Sequence, residues 1–427
     1  MDFETSDRIA GLRDQVEDFF NQEILPRNQN WIDEVENHGV LWPEFLDDLR
    51  AKAKSLGLWN MALPMLRSDE PGTQLSNLEF ASIAEILGRL PWASYVFNCN
   101  APDVPNMEIL HMFGTDAQKD RWLRPLLEGE IRSSFAMTEP KVASSDATNI
   151  ATRIKSDGDD YVINGHKWFA TNAGNPACKF TLVMGVTNPD AARGKGHSIV
   201  IVPNDTPGFS VPKNHAVFGH VDKVTPHSEI ILENVRVPKS NLIGSEGAGF
   251  VIGQARLGSA RIHHSMRAIG HCEVLLRLMT ERARSRKAFG QTLQTYSTVK
   301  EWIAESRLEL EQSRLLVQKT AWMLDKVGNK KARKEISLIK IGVPRMYYNI
   351  ANRAVQVFGA MGVTDDGPFA AALGQARAFR IYDGPDEIHH RTVFRLEDAD
   401  SLGEAPLSPH YLRGAGYVPA DVPQRGS

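Results

Sequence analysis

Ile9, Leu12, Val16 and Phe19 recur at steps of three and four residues. That spacing places them on one face of an amphipathic helix. Phe45, Leu49 and Ala53 repeat the pattern ahead of Leu56-Gly57-Leu58-Trp59. Ser76 with Glu79 three residues on reads as a capping box that opens a further helix. Gly114-Thr115 precedes another, and Pro125 through Gly129 closes it. The texture changes near Ile131. Short β-type runs follow, such as Tyr161-Val162-Ile163, Phe180 to Val183, Ser198 to Val202 and Glu229 to Leu232. Turn residues such as Ser156-Asp157-Gly158-Asp159 separate them, and strands at this spacing predict a barrel or sandwich. From about Glu246 the helical period returns. Ile269, Cys272, Leu276 and Met279 mark one helix face, and Leu308, Leu315, Ala321 and Leu324 belong to a second long helix. Ile336, Ile339 and Val343 lead a third, where Pro344 predicts a kink. Long helices joined by short turns predict a bundle.

The expected fold class is therefore α+β, mostly α. Residues 1–130 form an N-terminal helical domain, 131–243 a middle β-barrel domain and 244–398 a C-terminal four-helix bundle. The Pro- and Gly-rich tail, 399–427, is either loosely ordered or laid on a neighbouring subunit.

Composition narrows the partners. A chain of 427 residues exceeds one compact core. A formal net charge of −3 argues against a nucleic-acid or anionic-membrane partner. Cys99, Cys178 and Cys272 are odd in number and form no CxxC pair, which fits reduced thiols in a cytoplasmic protein. The acidic N-terminus is no signal or transit peptide, the C-terminus carries no peroxisomal address, and no apolar run approaches a membrane span. His263-His264 and His389-His390 are adjacent pairs that face different sides of a helix, so no metal is expected. No zinc, P-loop or Rossmann fingerprint is present.

Four stretches carry candidate chemistry. The run from Gln356 to His390 ends on Asp383, an acid between Tyr382 and Gly384-Pro385. Gly and Pro stop a helix, so the acid sits at a helix end, as a base aimed into a cleft or as a solvated cap. Met137-Thr138-Glu139-Pro140 with Ser144-Ser145 clusters hydroxyls and amides in a turn, which suits a polar ring edge, an anion or a plain capped loop. Asn164-Gly165 reads as a hairpin turn. Beyond it Trp168, Phe169 and Thr171 could shield a flat cofactor or fill a sheet core. Arg282 to Gly290 is basic at a helix end, as a pyrophosphate clamp or as simple dipole pairing. Lys330 to Lys334 reads as a solvated helix start.

In this order the motifs resemble the acyl-CoA dehydrogenase family over about residues 6 to 397. Leu56 to Trp59, Gly114-Thr115, Trp122 to Glu130, Met137 to Pro140 and Asn164 to Lys167 carry the first part of the likeness. Asn234 to Pro238, Gly244 to Phe250, Arg286 to Gly290, Gln356 to Gly362 and Ile381 to Gly384 carry the rest. The resemblance implies a tightly held FAD. Met137 and Thr138 would line the flavin edge, Ser145 would help place flavin phosphate or acyl-CoA, and Phe169 and Thr171 would pack on the ring and bond near its N5. Arg286, Phe289, Gln356 and Gly359 would hold the adenine-diphosphate half of a neighbouring subunit's FAD, which implies a homodimer or homotetramer. Arg261, Tyr382 and Gly384 would contact the acyl-CoA substrate. Asp383 would be the catalytic base, taking the α-proton while the β-hydrogen leaves as hydride to flavin N5. An electron-transferring flavoprotein is the implied acceptor.

The departures are informative. Most members carry Glu at the position of Asp383, and a second group places its base where this chain has Ala260. Ala143 to Asp146, Asp383 to Glu387 and Pro344-Arg345-Met346 resemble the subgroup of animal members ten and eleven, so aspartate reads as a subgroup trait. Ser297 and Ala360 also depart from the usual pattern. Two rivals stand beside the dehydrogenase. One is an oxidase resembling nitroalkane oxidase, which uses an aspartate base. The other is a DNA-binding relative, which would need a strongly basic face.

Overall fold

The structure, a computed structural model, describes residues 6–401. The tail expected over 399–427 lies almost wholly outside the described residues. The chain opens with α1 (Asp7–Phe19), α2 (Asn28–Trp31), α3 (Glu44–Ser55) and α4 (Asn77–Leu87). α5 (Ala93–Val96), α6 (Asp103–Phe113), α7 (Asp116–Gln118) and α8 (Arg124–Glu128) follow. Local signals set these helices. Both arms of the Ser76/Glu79 capping box form at α4, and Ile9, Val16 and Phe19 are the buried face of α1.

Seven strands then build a curled sheet: β1 (Arg132–Ala136), β2 (Arg153–Asp157), β3 (Asp160–Thr171), β4 (Cys178–Val186), β5 (His197–Pro203), β6 (Phe209–His215) and β7 (His227–Pro238). The order is β1-β4-β2-β3-β7-β6, with β5 on β4. Ile154, Ile163, Val183, Val202, Ile230 and Val235 fill a core of its own inside the sheet. The Asn164-Gly165 hairpin expected from sequence is not there. Those residues lie within β3, where the register on β7 shifts between Ile163 and Gly165, and the Asn164 amide oxygen accepts from the Asn234 backbone 2.9 Å away. The β2–β3 hairpin turns instead at Gly158.

The last layer is helical: α9 (Gly249–Ser285), a small hairpin of β8 (Lys287–Ala288) and β9 (Gln291–Thr292), α10 (Ser297–Lys331), α11 (Arg333–Phe358), α12 (Phe369–Phe379) and α13 (Asp386–Ser401). α9, α10 and α11 pack on each other, and one contiguous core runs from them into α4 and α6. One sequence expectation shifts here. Leu310, Val317 and Ala321 form the buried face of α10, while Leu308 and Leu315 are exposed. α11 continues through Pro344, and α10 leaves helical geometry at Gly328 (φ 75, ψ 169), a conformation that glycine reaches without strain. Lys334, just beyond that point, pairs with Glu397 and Asp400 of α13 rather than standing in solvent.

Candidate active site

Asp383 sits in the turn between α12 and α13, four residues beyond the end of α12 at Phe379, where the sequence suggests the helix end itself. Its φ is 56° and that of Gly384 is 97°. An aspartate tolerates the left-handed region, whereas Gly384 sits where a Cβ would lie 2.8 Å from the His389 Nε2. The turn is held through its carbonyls. Lys340 Nζ donates to Phe379 O at 2.8 Å and to Tyr382 O at 2.9 Å. Arg261 donates Nε and Nη2 to Asp383 O at 3.1 and 2.9 Å, and His389 Nε2 adds a donor at 3.2 Å. Three elements, α9, α11 and α13, thus converge on one strained loop. Gly384→Ala is expected to cost about 1–3 kcal/mol in urea unfolding and to slow catalysis. An unchanged unfolding midpoint would show that the turn tolerates a side chain.

These cations are buried at a cost. Burial pulls Lys340 down to about 8, partly offset by Asp383. Burial lowers Arg261 too, and the Asp383 charge opposes it. His389 falls to about 4 through burial, with the Arg261 charge adding to it. The Asp383 side chain is 19% exposed, and its Oδ2 lies 3.7 Å from His264 Nε2. The other ring nitrogen, Nδ1, accepts from Arg267 Nη2 at 3.1 Å. Tyr382 stacks on Phe379 with centroids 5.0 Å apart.

The Asp383 region meets the other two layers. Arg267 donates to Ser94 Oγ at 3.2 Å, and the adjacent Tyr95 hydroxyl lies 2.5 Å from Thr225 Oγ1, just before β7. At the end of β3, Thr171 Oγ1 lies 3.0 Å from His227 Nδ1. A bulge after Lys167 turns Phe169 outward at φ 50°, 44% exposed and stacked 4.9 Å from His215. Beside it the Trp168 Nε1 is buried with no hydrogen-bond partner among the described residues. Trp168 N donates to Thr138 O at 3.0 Å, which ties the Met137-Thr138 segment to this strand. Lys167, fully buried, clamps the same segment from below. Its Nζ donates to Met137 O at 3.0 Å, Glu139 Oε1 at 2.8 Å and Met184 O at 2.6 Å. Ser145 is exposed on the loop that follows.

The remaining predicted residues gather at the other end of the bundle. Arg286 caps α9, and Phe289 stands at the β8–β9 turn, 99% exposed with φ 50°. Gln356 and Gly359 lie at the end of α11, brought near that hairpin by Arg282 over the Phe358 ring. Gln356 borders an open groove of about 480 Å³ with Trp302, Asn349, Asn352 and Arg353. Among the described residues no cluster of His, Cys, Asp and Glu could hold a metal, and no helix is long and apolar enough to cross a membrane.

Residues 6–130, 134–235 and 247–396 match the N-terminal, middle and C-terminal domains of acyl-CoA dehydrogenase. The chain belongs to the acyl-CoA dehydrogenase family. Its membership makes it an FAD-dependent oxidoreductase. FadE2 of Mycobacterium tuberculosis, assigned as an acyl-CoA dehydrogenase, is 49% identical over 93% of this chain and 97% of its own. Acyl-CoA dehydrogenase family member 11 of Gallus gallus is 47% identical over 90% of this chain, which spans 50% of that longer protein. A solved Mycobacterium abscessus structure, also assigned as an acyl-CoA dehydrogenase, superposes with a TM-score of 0.90 at 44% identity over 93% of this chain and 100% of its own.

Sequence reading missed Lys340, His264, Arg267 and His389 around Asp383, and Lys167 behind the Met137-Thr138 segment. His264 and Arg267 follow Arg261 at steps of three on α9, so all three share one helix face. That spacing was the available signal.

Proposed function

We propose that this family member dehydrogenates an acyl-CoA thioester to the trans-2-enoyl-CoA, with Asp383 as the base. The observation that carries this reading is the Asp383 turn. Its main chain is fixed by Lys340, Arg261 and His389, and its part-buried carboxylate is the group we read as the base. The residues of this chain suit FAD. An exposed Phe169 on a bulge offers a ring face, and the unpartnered Trp168 N–H and the Thr171 hydroxyl offer polar contacts beside it. Met137 and Thr138 would line the same edge.

FAD supplies the hydride acceptor. Asp383 removes a proton from the carbon next to the thioester carbonyl, a position whose acidity the thioester raises. The C–H electron pair moves into the new double bond as the β-hydrogen departs as hydride. The proton stays on the Asp383 carboxyl until product release. The fixed turn holds the carboxylate in reach and limits wasted motion. Tyr382, Gly384 and Arg261 would border the acyl-CoA. Two Arg261 donors already serve the Asp383 carbonyl, so its contribution to substrate is largely indirect.

Phe289, almost fully exposed at a hairpin tip, and the groove beside Gln356 support a neighbouring subunit at that end, with Arg286 and Gly359 completing a site for its adenine-diphosphate. A homodimer or homotetramer follows from this reading. An electron-transferring flavoprotein is the proposed acceptor. The three free cysteines, all buried, accord with a reducing cytoplasm. The test is to compare substrates in air. Turnover of acyl-CoA with an artificial electron acceptor, and no peroxide from nitroethane, is the expected result. Peroxide from nitroethane without acyl-CoA turnover would instead mark a nitroalkane oxidase.

A further inference from the structure

We propose that His227 is a positioning residue for the flavin: its Nδ1–H donates to the Thr171 hydroxyl oxygen and leaves the one proton of that hydroxyl for flavin N5. The inference rests on the reading that Thr171 stands at the flavin edge. Its ground is a cross-strand row. Thr171 of β3 pairs directly with His227 of β7, and His227 pairs on its other side with His215 of β6. Directly opposed residues of antiparallel strands share a face of the sheet. The side chains meet, with Thr171 Oγ1 3.0 Å from His227 Nδ1. Strands on both sides hold the His227 backbone, and Asn172 N donates to Pro226 O at 2.7 Å immediately beside the pair. The row lies against the Phe169 ring, whose centroid is 4.9 Å from that of His215 and 6.2 Å from that of His227.

The choice of donor follows from counting protons. A hydroxyl has one proton and two lone pairs, and a neutral imidazole has one N–H and one bare nitrogen. Across the 3.0 Å contact either atom is able to donate. A bare Nδ1 would take the Thr171 proton and leave only lone pairs for the cofactor. N5 of an oxidised flavin is itself a bare ring nitrogen, so lone pairs facing it repel. An Nδ1–H reverses this. Oγ1 then accepts from His227, and its own proton is left for N5. The surroundings favour a neutral ring. Burial lowers His227 below its usual value, Asp222 opposes this and His215 adds to it. Asp222 serves the loop before β7, where its Oδ1 accepts from Val224 N at 3.0 Å and from Thr225 N at 2.7 Å.

The test uses the full-length protein loaded with FAD that carries nitrogen-15 at N5. Nitrogen-15 histidine spectra of the wild type are expected to show the His227 ring, identified by its loss in His227→Asn, protonated on Nδ1. The N5 resonance is expected to move in Thr171→Val and in His227→Phe, which keeps a ring and removes the donor. In His227→Asn, whose amide donates from the same branch point that bears Nδ1, it should return towards the wild-type position. Flavin reduction by acyl-CoA should fall about tenfold in His227→Phe at unchanged KM, and His227→Asn should recover most of that loss. A bare Nδ1 in the wild type, or an N5 resonance that moves in Thr171→Val but not in His227→Phe, would overturn the proposal alone. An N5 resonance unmoved in Thr171→Val would remove Thr171 from the flavin edge and the proposal with it. If no acyl-CoA reduces the flavin, the dehydrogenase reading fails, and the resonances still decide the role of His227.

Discussion

Asp383→Asn is expected to slow flavin reduction by acyl-CoA about a thousandfold while the protein keeps its fold and its FAD. The two halves of that result have separate causes. The amide cannot accept the α-proton at neutral pH, so the chemical step loses its base. The turn survives because Lys340, Arg261 and His389 bind main-chain carbonyls, which the substitution leaves in place. Asparagine also tolerates the positive φ of 56° at this position. Ala260, buried beside Ser259 on α9, offers no carboxylate that could stand in for Asp383. Rapid-mixing absorbance at the flavin band measures the rate, and the bound-flavin spectrum measures retention. A variant that still bleaches at the wild-type rate would remove Asp383 from the mechanism.

Lys167→Met is expected to destabilise the protein by about 3–5 kcal/mol and to weaken FAD retention. Lys167 is fully buried, and burial draws its pKa down to about 8 even with Glu139 opposing. It remains the charged partner of a Glu139 that is only 5% exposed. Removing the ammonium strands that carboxylate, although Ala151 N, Thr152 N and Thr152 Oγ still donate to it at 2.8, 2.8 and 2.6 Å. The carbonyls of Met137 and Met184 lose their shared donor as well. Since Met137 and Thr138 are the proposed flavin edge, stability and FAD affinity should fall together. Adding Glu139→Gln to the variant should recover part of the loss, because the stranded charge is then gone. Urea unfolding with and without added FAD checks both effects. A loss under about 1 kcal/mol would reduce the pair to the worth of a surface ion pair.

The order helix, sheet, helix was legible because each layer has its own period and its own punctuation. The Ser76/Glu79 box and the stop at Gly129 are local chemistry, and local chemistry survives folding. Asn164-Gly165 misled because the same dipeptide serves a bulge when the partner strand bulges opposite it, and Asn234 lies far along the chain. Leu308 and Leu315 misled because a long helix between neighbours does not bury every apolar residue. Asp383 could be singled out as a candidate base through its Gly-Pro neighbours and the family likeness. Its surroundings could not. Arg261 and Asp383 are 122 residues apart, and Lys340 reaches the turn across 42. No period links such positions, so the cradle of buried donors is a property of the folded chain alone.

The most direct measurement of the central claim is an anaerobic single turnover of the FAD-loaded wild type with a panel of straight and branched acyl-CoAs. The account predicts bleaching of the flavin band by at least one chain, with one trans-2-enoyl-CoA formed for each flavin reduced. Bound FAD that no acyl-CoA bleaches would contradict it.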